Sequence, residues 1–322
     1  MGYGMALNLR SKMTKTDTLY ICDVSDQVIQ KFKSESNGPI EVVKDGFSAT
    51  MSADVVISML PDSAAVKKVY LDKSNGVLAG VKAAAAQRTV KILLIECGTI
   101  ESATIQEVAM ATESTAASLE QGSILDFVDA PVSGGPNGAL NGTLAFMVGT
   151  DKPDTIFEQV KNALVHMGNP KSIFLCGDVG AGTAFKVINN YISAIASLAS
   201  SEALNIGVKL GLDPKRLTDV INASGGQTWI TSNINPVPGV QPNVPSSRNY
   251  EGGFRIELCS KVFEMGIELA KQANARTVLD QATIRAFKEA AADPRYSGKD
   301  ARVVYRWLNE SPRQQDSGNQ QP

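Results

Sequence analysis

The feature that most constrains this chain is a change of pattern near residue 176. Before that point, short apolar runs of strand length alternate with segments of helical periodicity, which is typical of a mostly parallel sheet whose strands are joined by helices. Beyond Gly182, the pattern is helical, without clear strand signals. The sequence therefore predicts an α/β Rossmann-like, doubly wound sheet followed by an all-α domain.

The two patterns also predict individual elements and domain limits. From Lys186 to Leu210 the chain is apolar nearly all round, which indicates a helix buried against the first domain and a partner subunit. We predict domains at 1–178 and 179–310, and a polar, disordered tail at 311–322. Strands are expected at 19–23, 40–43, 55–60, 91–96, 125–129, 144–148 and 173–176, and helices at 5–12, 25–34, 64–71, 102–118 and 153–164.

Composition restricts the chemistry of the chain. Its 31 basic and 33 acidic residues are interspersed, so we expect no nucleic-acid partner and a small-molecule substrate instead. No apolar run reaches the roughly 18 residues of a membrane-spanning helix, and we expect no membrane partner. The single histidine, His166, argues against histidine-based metal sites and against Ser-His or Cys-His catalysis. In an enzyme of this composition, a lysine or a carboxylate must move the proton.

The N-terminus looks like the end of a dinucleotide-binding fingerprint. In that unit, glycines let the backbone approach a pyrophosphate at a helix N-terminus, and an acidic residue ends the next strand. Here Gly2 precedes the helix predicted at 5–12, and Asp23 closes the strand that follows. The Asp23 carboxylate would bind a ribose 2′-hydroxyl and repel a 2′-phosphate, which favours NAD over NADP. The first strand and the first two glycines are absent, so we expect the native protein to begin upstream of Met1.

Two further strand ends point to a cofactor. Leu60 and Pro61 follow one predicted strand, and Thr99 follows the next one along the chain. Ligands of doubly wound sheets bind at the carboxyl ends of the parallel strands. Leu60 and Pro61 would line the nicotinamide or ribose side, and the Thr99 hydroxyl would contact the cofactor. Each of these residues taken alone is also compatible with a plain strand terminus.

Two later segments carry candidate substrate-binding and catalytic residues. In the segment DAPVSGGPNGALNGTLAFMVG, Ser133, Gly134 and Gly135 form a predicted turn whose N–H groups could converge on a carboxylate. In GAGTAFKVINN, Lys186 and Asn190 share one helix face because they are four residues apart. Lys186 lies among apolar neighbours, where desolvation would lower its pKa toward the range useful for proton transfer.

These segments are very similar to those of the β-hydroxyacid dehydrogenase family, and the resemblance extends from Met1 to about Leu308. It implies that Lys186 is the catalytic acid/base, that Asn190 holds the substrate, and that Lys261 contacts the cofactor region from the second domain. The family's usual Asp after that lysine is Val262 here. The Pro- and Gly-rich segment 235–254 resembles the members that oxidise 3-hydroxyisobutyrate to methylmalonate semialdehyde with NAD, in valine catabolism.

Three functions remain open at this point. The first is oxidation of 3-hydroxyisobutyrate, and the second is oxidation or reduction of another short 3-hydroxy acid or semialdehyde, since a carboxylate anchor does not read the rest of a substrate. The third is a non-catalytic dinucleotide-binding protein, because the first strand and two glycines are absent. The apolar helix after Lys186 suggests a homodimer or homotetramer. The resemblance implies the mitochondrial matrix in a eukaryote and the cytoplasm in a bacterium.

Overall fold

The computed structural model describes residues 1–310, so the tail predicted at 311–322 lies outside the described residues. The chain divides into two compact units, of which the first ends at Val187 and the second begins at Ile188. None of the described helices is both long enough and apolar enough to span a membrane.

The first unit alternates strands with helices, as the sequence pattern predicts. Several of its helices begin where an acidic or hydroxyl side chain caps them: Asp62, for example, accepts the N–H of Ala65 at the start of α4. The strands are β1 (Leu19–Ile21), β2 (Ile40–Val42), β3 (Val55–Ser58), β4 (Lys91–Glu96), β5 (Ile124–Asp129), β6 (Val132–Ser133), β7 (Leu144–Gly149) and β8 (Gly168–Gly177). The helices are α1 (Gly2–Lys12), α2 (Asp26–Glu35), α3 (Gly46–Ser52), α4 (Ser63–Leu71), α5 (Val77–Ala85), α6 (Ser102–Ala117), α7 (Gly135–Asn141) and α8 (Pro153–Leu164).

The described strands form two separate sheets. In the larger, six-stranded sheet, the order is β3-β4-β5-β7-β6, with β8 also paired to β7. The pairs β3–β4, β4–β5 and β7–β8 are parallel, whereas β7 is antiparallel to β5 and β6. Strands β1 and β2 form a separate parallel pair. The parallel-rich sheet with flanking helices agrees with the predicted Rossmann-like fold.

Both faces of the central strands β4 and β5 are buried. Successive side chains of a strand point to opposite faces, so each strand contributes to two apolar clusters. In β4, Leu93 and Ile95 pack into one apolar cluster, whereas Ile92 and Leu94 pack into another. Helices on both faces complete these clusters. The carboxyl ends of the strands are therefore the part of the sheet that remains open to a ligand.

Several sequence predictions of local structure are wrong. Helix α1 begins at Gly2, whereas the sequence analysis placed its start at Met5. Helices α3, α5 and α7 were not predicted. Helix α5 has apolar residues on nearly every side, and most of them are buried, so it shows no amphipathic period. The predicted turn at 133–135 is instead the end of β6 followed at once by α7, with Gly134 at φ 134° and Gly135 at φ 64° allowing the abrupt change.

The second unit is helical, as predicted. The 29-residue helix α9 (Ala181–Lys209) includes the boundary at Val187, so its first two turns belong to the first unit. The main core of the second unit packs around Tyr250, Phe263, Phe287 and Tyr296. The other helices are α10 (Pro214–Asn222), α11 (Trp229–Asn233), α12 (Ile256–Gln272), α13 (Asp280–Ala292) and α14 (Val304–Glu310), with 3₁₀ turns at Pro245–Arg248 and Ala301–Val303.

Candidate active site

The carboxyl ends of β3 and β4 are joined by the buried carboxylate of Glu96. Glu96 is fully buried and accepts the backbone N–H of Gly98 at 2.6 Å and that of Leu60. The hydroxyl of Ser58 donates to the same carboxylate and lies 2.5 Å from the hydroxyl of Tyr70. One side chain therefore fixes the two loops that leave these neighbouring strands.

The environment of Glu96 disfavours its charged form. The pKa of Glu96 is raised to about 7, mainly by burial and to a smaller extent by the nearby Asp129 charge, while the hydrogen bonds from Ser58, Gly98 and Leu60 act in the opposite direction. Asp129 stands directly opposite Glu96 in the register of β4 and β5. The strand ends thus carry two adjacent buried carboxyl groups.

Three of the predicted cofactor positions lie at this same edge. A Cβ atom placed on Gly2 would be 3.5 Å from the Cβ of Met59, so the start of α1 is beside the end of β3. A Cβ atom on Gly98 would lie 2.7 Å from the carbonyl oxygen of Leu60, so the loop that carries Thr99 runs close to Leu60. The structure therefore brings Gly2, Leu60 and Thr99 together at the ligand-binding edge of the sheet.

The residues at this edge fit a dinucleotide. No side chain caps α1, so the N–H groups of its first turn remain available to an anion such as a pyrophosphate. Asp23 is exposed just beyond the end of β1, and only its Oδ1 atom is engaged among the described residues, by the N–H of Ser25 at 2.9 Å. Its other oxygen can accept a ribose hydroxyl. Pro61 is exposed in the loop after β3.

The Ser133–Gly135 segment forms the entry to α7. Ser133 pairs with Ala145 in the sheet, and Gly134 is the N-cap residue of the helix. No side chain caps this helix, and Gly134 and Gly135 are both exposed. A Cβ atom on Gly135 would meet nothing within 4 Å, so the backbone here faces open space. A small carboxylate can approach it without displacing protein atoms.

The start of α9 is held by the second buried carboxylate. Asp129 is fully buried, and its oxygens accept the N–H groups of Gly180 at 2.7 Å and of Thr183 at 2.6 Å. Gly182 must lack a side chain, because a Cβ atom there would overlap the carbonyl oxygen of Met147 and would also lie 3.0 Å from the Asp129 carboxylate. Burial raises the pKa of Asp129, and the two backbone N–H groups oppose that rise. The end of β5 thereby fixes the first turn of the helix that carries Lys186.

Lys186 lies one turn beyond that anchor and is buried, with 8% of its surface exposed. Burial lowers its pKa to about 8, as the sequence analysis anticipated. Among the described residues it takes part in no salt bridge, so no carboxylate offsets the cost of burying its charge. A neutral amine is therefore accessible near physiological pH, as a general base requires.

Asn190 follows one turn later on α9, in the second unit. Its side chain is partly exposed and lines a cavity of about 30 Å³ together with Ser193, Ser197 and Arg302. Lys261 is partly buried on α12 and is followed there by the buried Val262. Both residues thus belong to the helical unit, while the cofactor positions described above belong to the sheet unit.

The anchoring roles of Glu96 and Asp129 were not recognised from the sequence. Each lies in a segment that the sequence analysis singled out, but neither was given a function. The available signal was an acidic residue at the last position of an otherwise apolar strand, in KILLIE and in ILDFVD. A buried carboxylate at such a position has to be satisfied by hydrogen bonds, and the loops that leave the sheet supply them.

Comparison with known proteins defines the class of the chain. Residues 1–179 match the family model described as the NAD binding domain of 6-phosphogluconate dehydrogenase. Residues 180–308 match the one described as NAD-binding of NADP-dependent 3-hydroxyisobutyrate dehydrogenase. The two matches follow one another and cover nearly the whole described chain. Fold and matches together define a dehydrogenase that uses a nicotinamide dinucleotide.

Individual relatives specify the family. The protein named probable 3-hydroxyisobutyrate dehydrogenase, mitochondrial, of Dictyostelium discoideum is 37% identical over 97% of this chain and 88% of its own. The NAD-dependent L-serine dehydrogenase of Pseudomonas aeruginosa is 35% identical over 89% of this chain and 88% of its own. A solved structure, the 3-hydroxyisobutyrate dehydrogenase of Mycobacterium tuberculosis with L-serine, superposes with a TM-score of 0.80 at 30% identity, covering 96% of this chain and 95% of the other. The chain belongs to the 3-hydroxyisobutyrate dehydrogenase family and is an NAD-dependent hydroxyacid dehydrogenase.

Proposed function

We propose that this enzyme oxidises 3-hydroxyisobutyrate to methylmalonate semialdehyde, with Lys186 as the general base. The observation that carries this proposal is the buried, unpaired Lys186, whose pKa is lowered to about 8 by burial. A lysine of that kind is neutral often enough to accept the hydroxyl proton of an alcohol near neutral pH, and it can return the proton in the reverse reaction.

The substrate is held by its two ends in this proposal. Ser133, Gly134 and Gly135 anchor the carboxylate through the backbone N–H groups and the hydroxyl at the entry to α7. The amide of Asn190, one helical turn from Lys186, orients the alcohol so that its proton faces the lysine Nζ atom. NAD, when bound, supplies the hydride acceptor for the carbinol carbon. The protein's part is to fix the geometry and to take up the proton.

The cofactor site of the proposal lies mainly at the strand ends of the first unit. The start of α1 binds the pyrophosphate, Asp23 binds the adenosine ribose, and the loops after β3 and β4 contact the nicotinamide half. Lys261 is a further cofactor contact that the family resemblance implies. The proposed cofactor contacts are Gly2, Asp23, Leu60, Pro61, Thr99 and Lys261.

L-serine is the second candidate substrate. It is also a 3-hydroxy acid, and the solved relative with a TM-score of 0.80 is described with L-serine, while another relative is named for L-serine dehydrogenase activity. The exposed backbone at Gly134 and Gly135 would anchor either carboxylate. The two substrates differ at C2, where serine carries an ammonium group and 3-hydroxyisobutyrate carries a methyl group.

The same resemblance leads to two proposals about the cellular setting. A role in valine catabolism in the mitochondrial matrix, or in the cytoplasm of a bacterium, follows the names of the relatives. A homodimer or homotetramer is supported by exposed apolar residues along α9, namely Phe185, Ile188, Ile192 and Ile206. Apolar side chains of this size along one helix are typical of a protein interface. Light scattering of the purified protein measures the assembly directly.

A comparison of initial rates with NAD on 3-hydroxyisobutyrate, L-serine and 3-hydroxypropionate tests the substrate. We expect the highest kcat/KM with 3-hydroxyisobutyrate, and a higher value with serine would replace the first candidate by the second. Lys186→Ala should lower kcat by about 100-fold or more with little change in NAD affinity. Lys209→Ala, which removes an exposed lysine from the same helix, is the matched control and should retain activity. Retained turnover in Lys186→Ala would refute the role of Lys186.

The pH profile provides an independent test of the base. Because the neutral amine is the reactive form, log kcat for oxidation should rise with pH and level off above about 8, the pKa of Lys186. A profile that stays flat from pH 6 to 9, with chemistry limiting the rate, would show that another group accepts the proton.

A further inference from the structure

We infer that Glu96 is a positioning residue for the nicotinamide side of the NAD site, because its carboxylate holds the two loops that contact this half of the cofactor. The inference rests on the proposed placement of Leu60, Pro61 and Thr99. Glu96 itself is fully buried and is not a candidate for contact with substrate or cofactor.

The hydrogen bonds of Glu96 reach the cofactor loops at the required points. One donor is the backbone N–H of Leu60, which is itself a proposed contact. Another is the N–H of Gly98, at 2.6 Å, one residue before Thr99. The Ser58 hydroxyl, at the last residue of β3, is the third donor. The carboxylate thus sets the distance between the loop after β3 and the loop after β4.

The position of Glu96 leaves little freedom for these loops. A Cβ atom on Gly98 would lie 2.6 Å from Glu96 Oε1 and 2.7 Å from the carbonyl oxygen of Leu60, so the two loops and the carboxylate are already in close contact. Loss of the carboxylate would remove the acceptor that keeps Leu60 and Gly98 in place. The backbone around Thr99 would then be free to shift.

Glu96 stabilises this arrangement in spite of an unfavourable electrostatic environment. The titratable groups that face it are Tyr70 from α4, Cys97 just after β4 and Asp129 from β5, and none of them is a cation. Burial raises its pKa to about 7. A buried acid without a cationic partner destabilises the fold, and perturbed groups of this kind are concentrated at functional sites.

The network of Glu96 extends to only one half of the dinucleotide. Its hydrogen bonds connect β3, β4 and α4. Asp23, the proposed contact for the adenosine ribose, follows β1 in the other sheet, and no described strand of one sheet pairs with a strand of the other. A change at Glu96 should therefore weaken the binding of NAD and spare a ligand that carries only the adenosine diphosphate half.

Calorimetric titration of the full chain with NAD and, separately, with ADP tests this inference. Glu96→Leu removes every acceptor and should weaken NAD binding by about tenfold or more, while the Kd of ADP stays within about twofold of the wild-type value. Glu96→Gln keeps one acceptor oxygen and should show a smaller loss. Ser58→Ala, which removes one donor from the network, should also weaken NAD binding and leave the Kd of ADP unchanged. This variant tests the inference if Glu96→Leu does not fold.

Asp126→Asn is the matched control. It changes another buried carboxylate of the same sheet, on β5, which pairs with Lys152 at 2.6 Å and lies three residues before the strand end. Both Kd values should remain unchanged in this variant. Equal loss of NAD and ADP binding in the Glu96 variants would indicate a general structural role and overturn the inference, as would unchanged NAD binding. A wild-type chain that binds ADP but not NAD would instead refute the proposed placement of the nicotinamide loops.

Discussion

Replacing Lys186 with methionine should stabilise the protein while it abolishes turnover. Burial lowers the pKa of Lys186 from 10.5 to about 8, and each pKa unit corresponds to about 1.4 kcal/mol. The charged amine therefore destabilises the folded state by about 3 kcal/mol at pH 7. Methionine has a similar length and no charge, and because Lys186 makes no ion pair with a described residue, the substitution sacrifices no electrostatic partner.

The stabilisation by Lys186→Met should depend on pH in a defined direction. Between pH 8 and 10.5 the unfolded chain binds more protons at this position than the folded chain, so the wild-type protein gains stability as pH rises through this range. Lys186→Met has no such gain. Its advantage should be about 3 kcal/mol at pH 7 and should have nearly vanished by pH 10.5.

Urea unfolding followed by circular dichroism at pH 7 and at pH 10 measures the difference. Lys209→Met is the control at an exposed position of the same helix. It removes the hydrogen bond from the Lys209 amine to the carbonyl oxygen of Asn309 and should alter stability by about 1 kcal/mol or less. A Lys186→Met variant that is no more stable than wild type at pH 7 would refute the reasoning, since the amine would then have to be solvated or paired in the folded protein.

Three further predictions concern the cofactor edge. The pKa of Glu96 is raised from 4.5 to about 7, so between these pH values the folded state binds more protons than the unfolded state. The stability of the wild type should therefore fall by about 3 kcal/mol as pH rises through this range. Urea unfolding of Glu96→Gln across the same range should lack this pH dependence. Gly98→Ala places a Cβ atom 2.6 Å from Glu96 Oε1. It should lower both the urea midpoint and the affinity for NAD measured by calorimetry. Unchanged values would mean that the loops after β3 and β4 move apart at little energetic cost. Asp23→Ser removes the charge that would repel a 2′-phosphate, and it should improve NADP affinity relative to NAD by about tenfold; an unaltered ratio would exclude Asp23 from the adenosine ribose site.

The sequence predicts the positions of strand ends better than the contacts between them. The apolar run of β4 is long enough to identify the strand, and Thr99 lies just beyond its end. Its predicted place at the cofactor edge follows from the rule that parallel sheets bind ligands at the carboxyl ends of their strands. The same logic places Asp23 after β1. The position of Lys186 near the start of an apolar helix likewise leads to a lowered pKa from the sequence alone.

Other features depend on tertiary contacts that no local pattern contains. The hydrogen bond from Gly98 to Glu96 spans two residues, but the bond from Ser58 connects positions 38 residues apart. Asp129 reaches the N–H of Thr183 across 54 residues. Helix α7 was missed for a local reason, because its segment GPNGALN is rich in residues that usually indicate a turn.

Helix α9 determines which distances in the proposed active site can vary. Lys186 and Asn190 lie four residues apart on this continuous helix, which corresponds to a rise of about 6 Å. Their spacing is a property of helical geometry and does not depend on how any loop is arranged. Substitutions at the cofactor edge should therefore alter how well NAD meets the alcohol, while the backbone spacing of Lys186 and Asn190 along α9 stays the same.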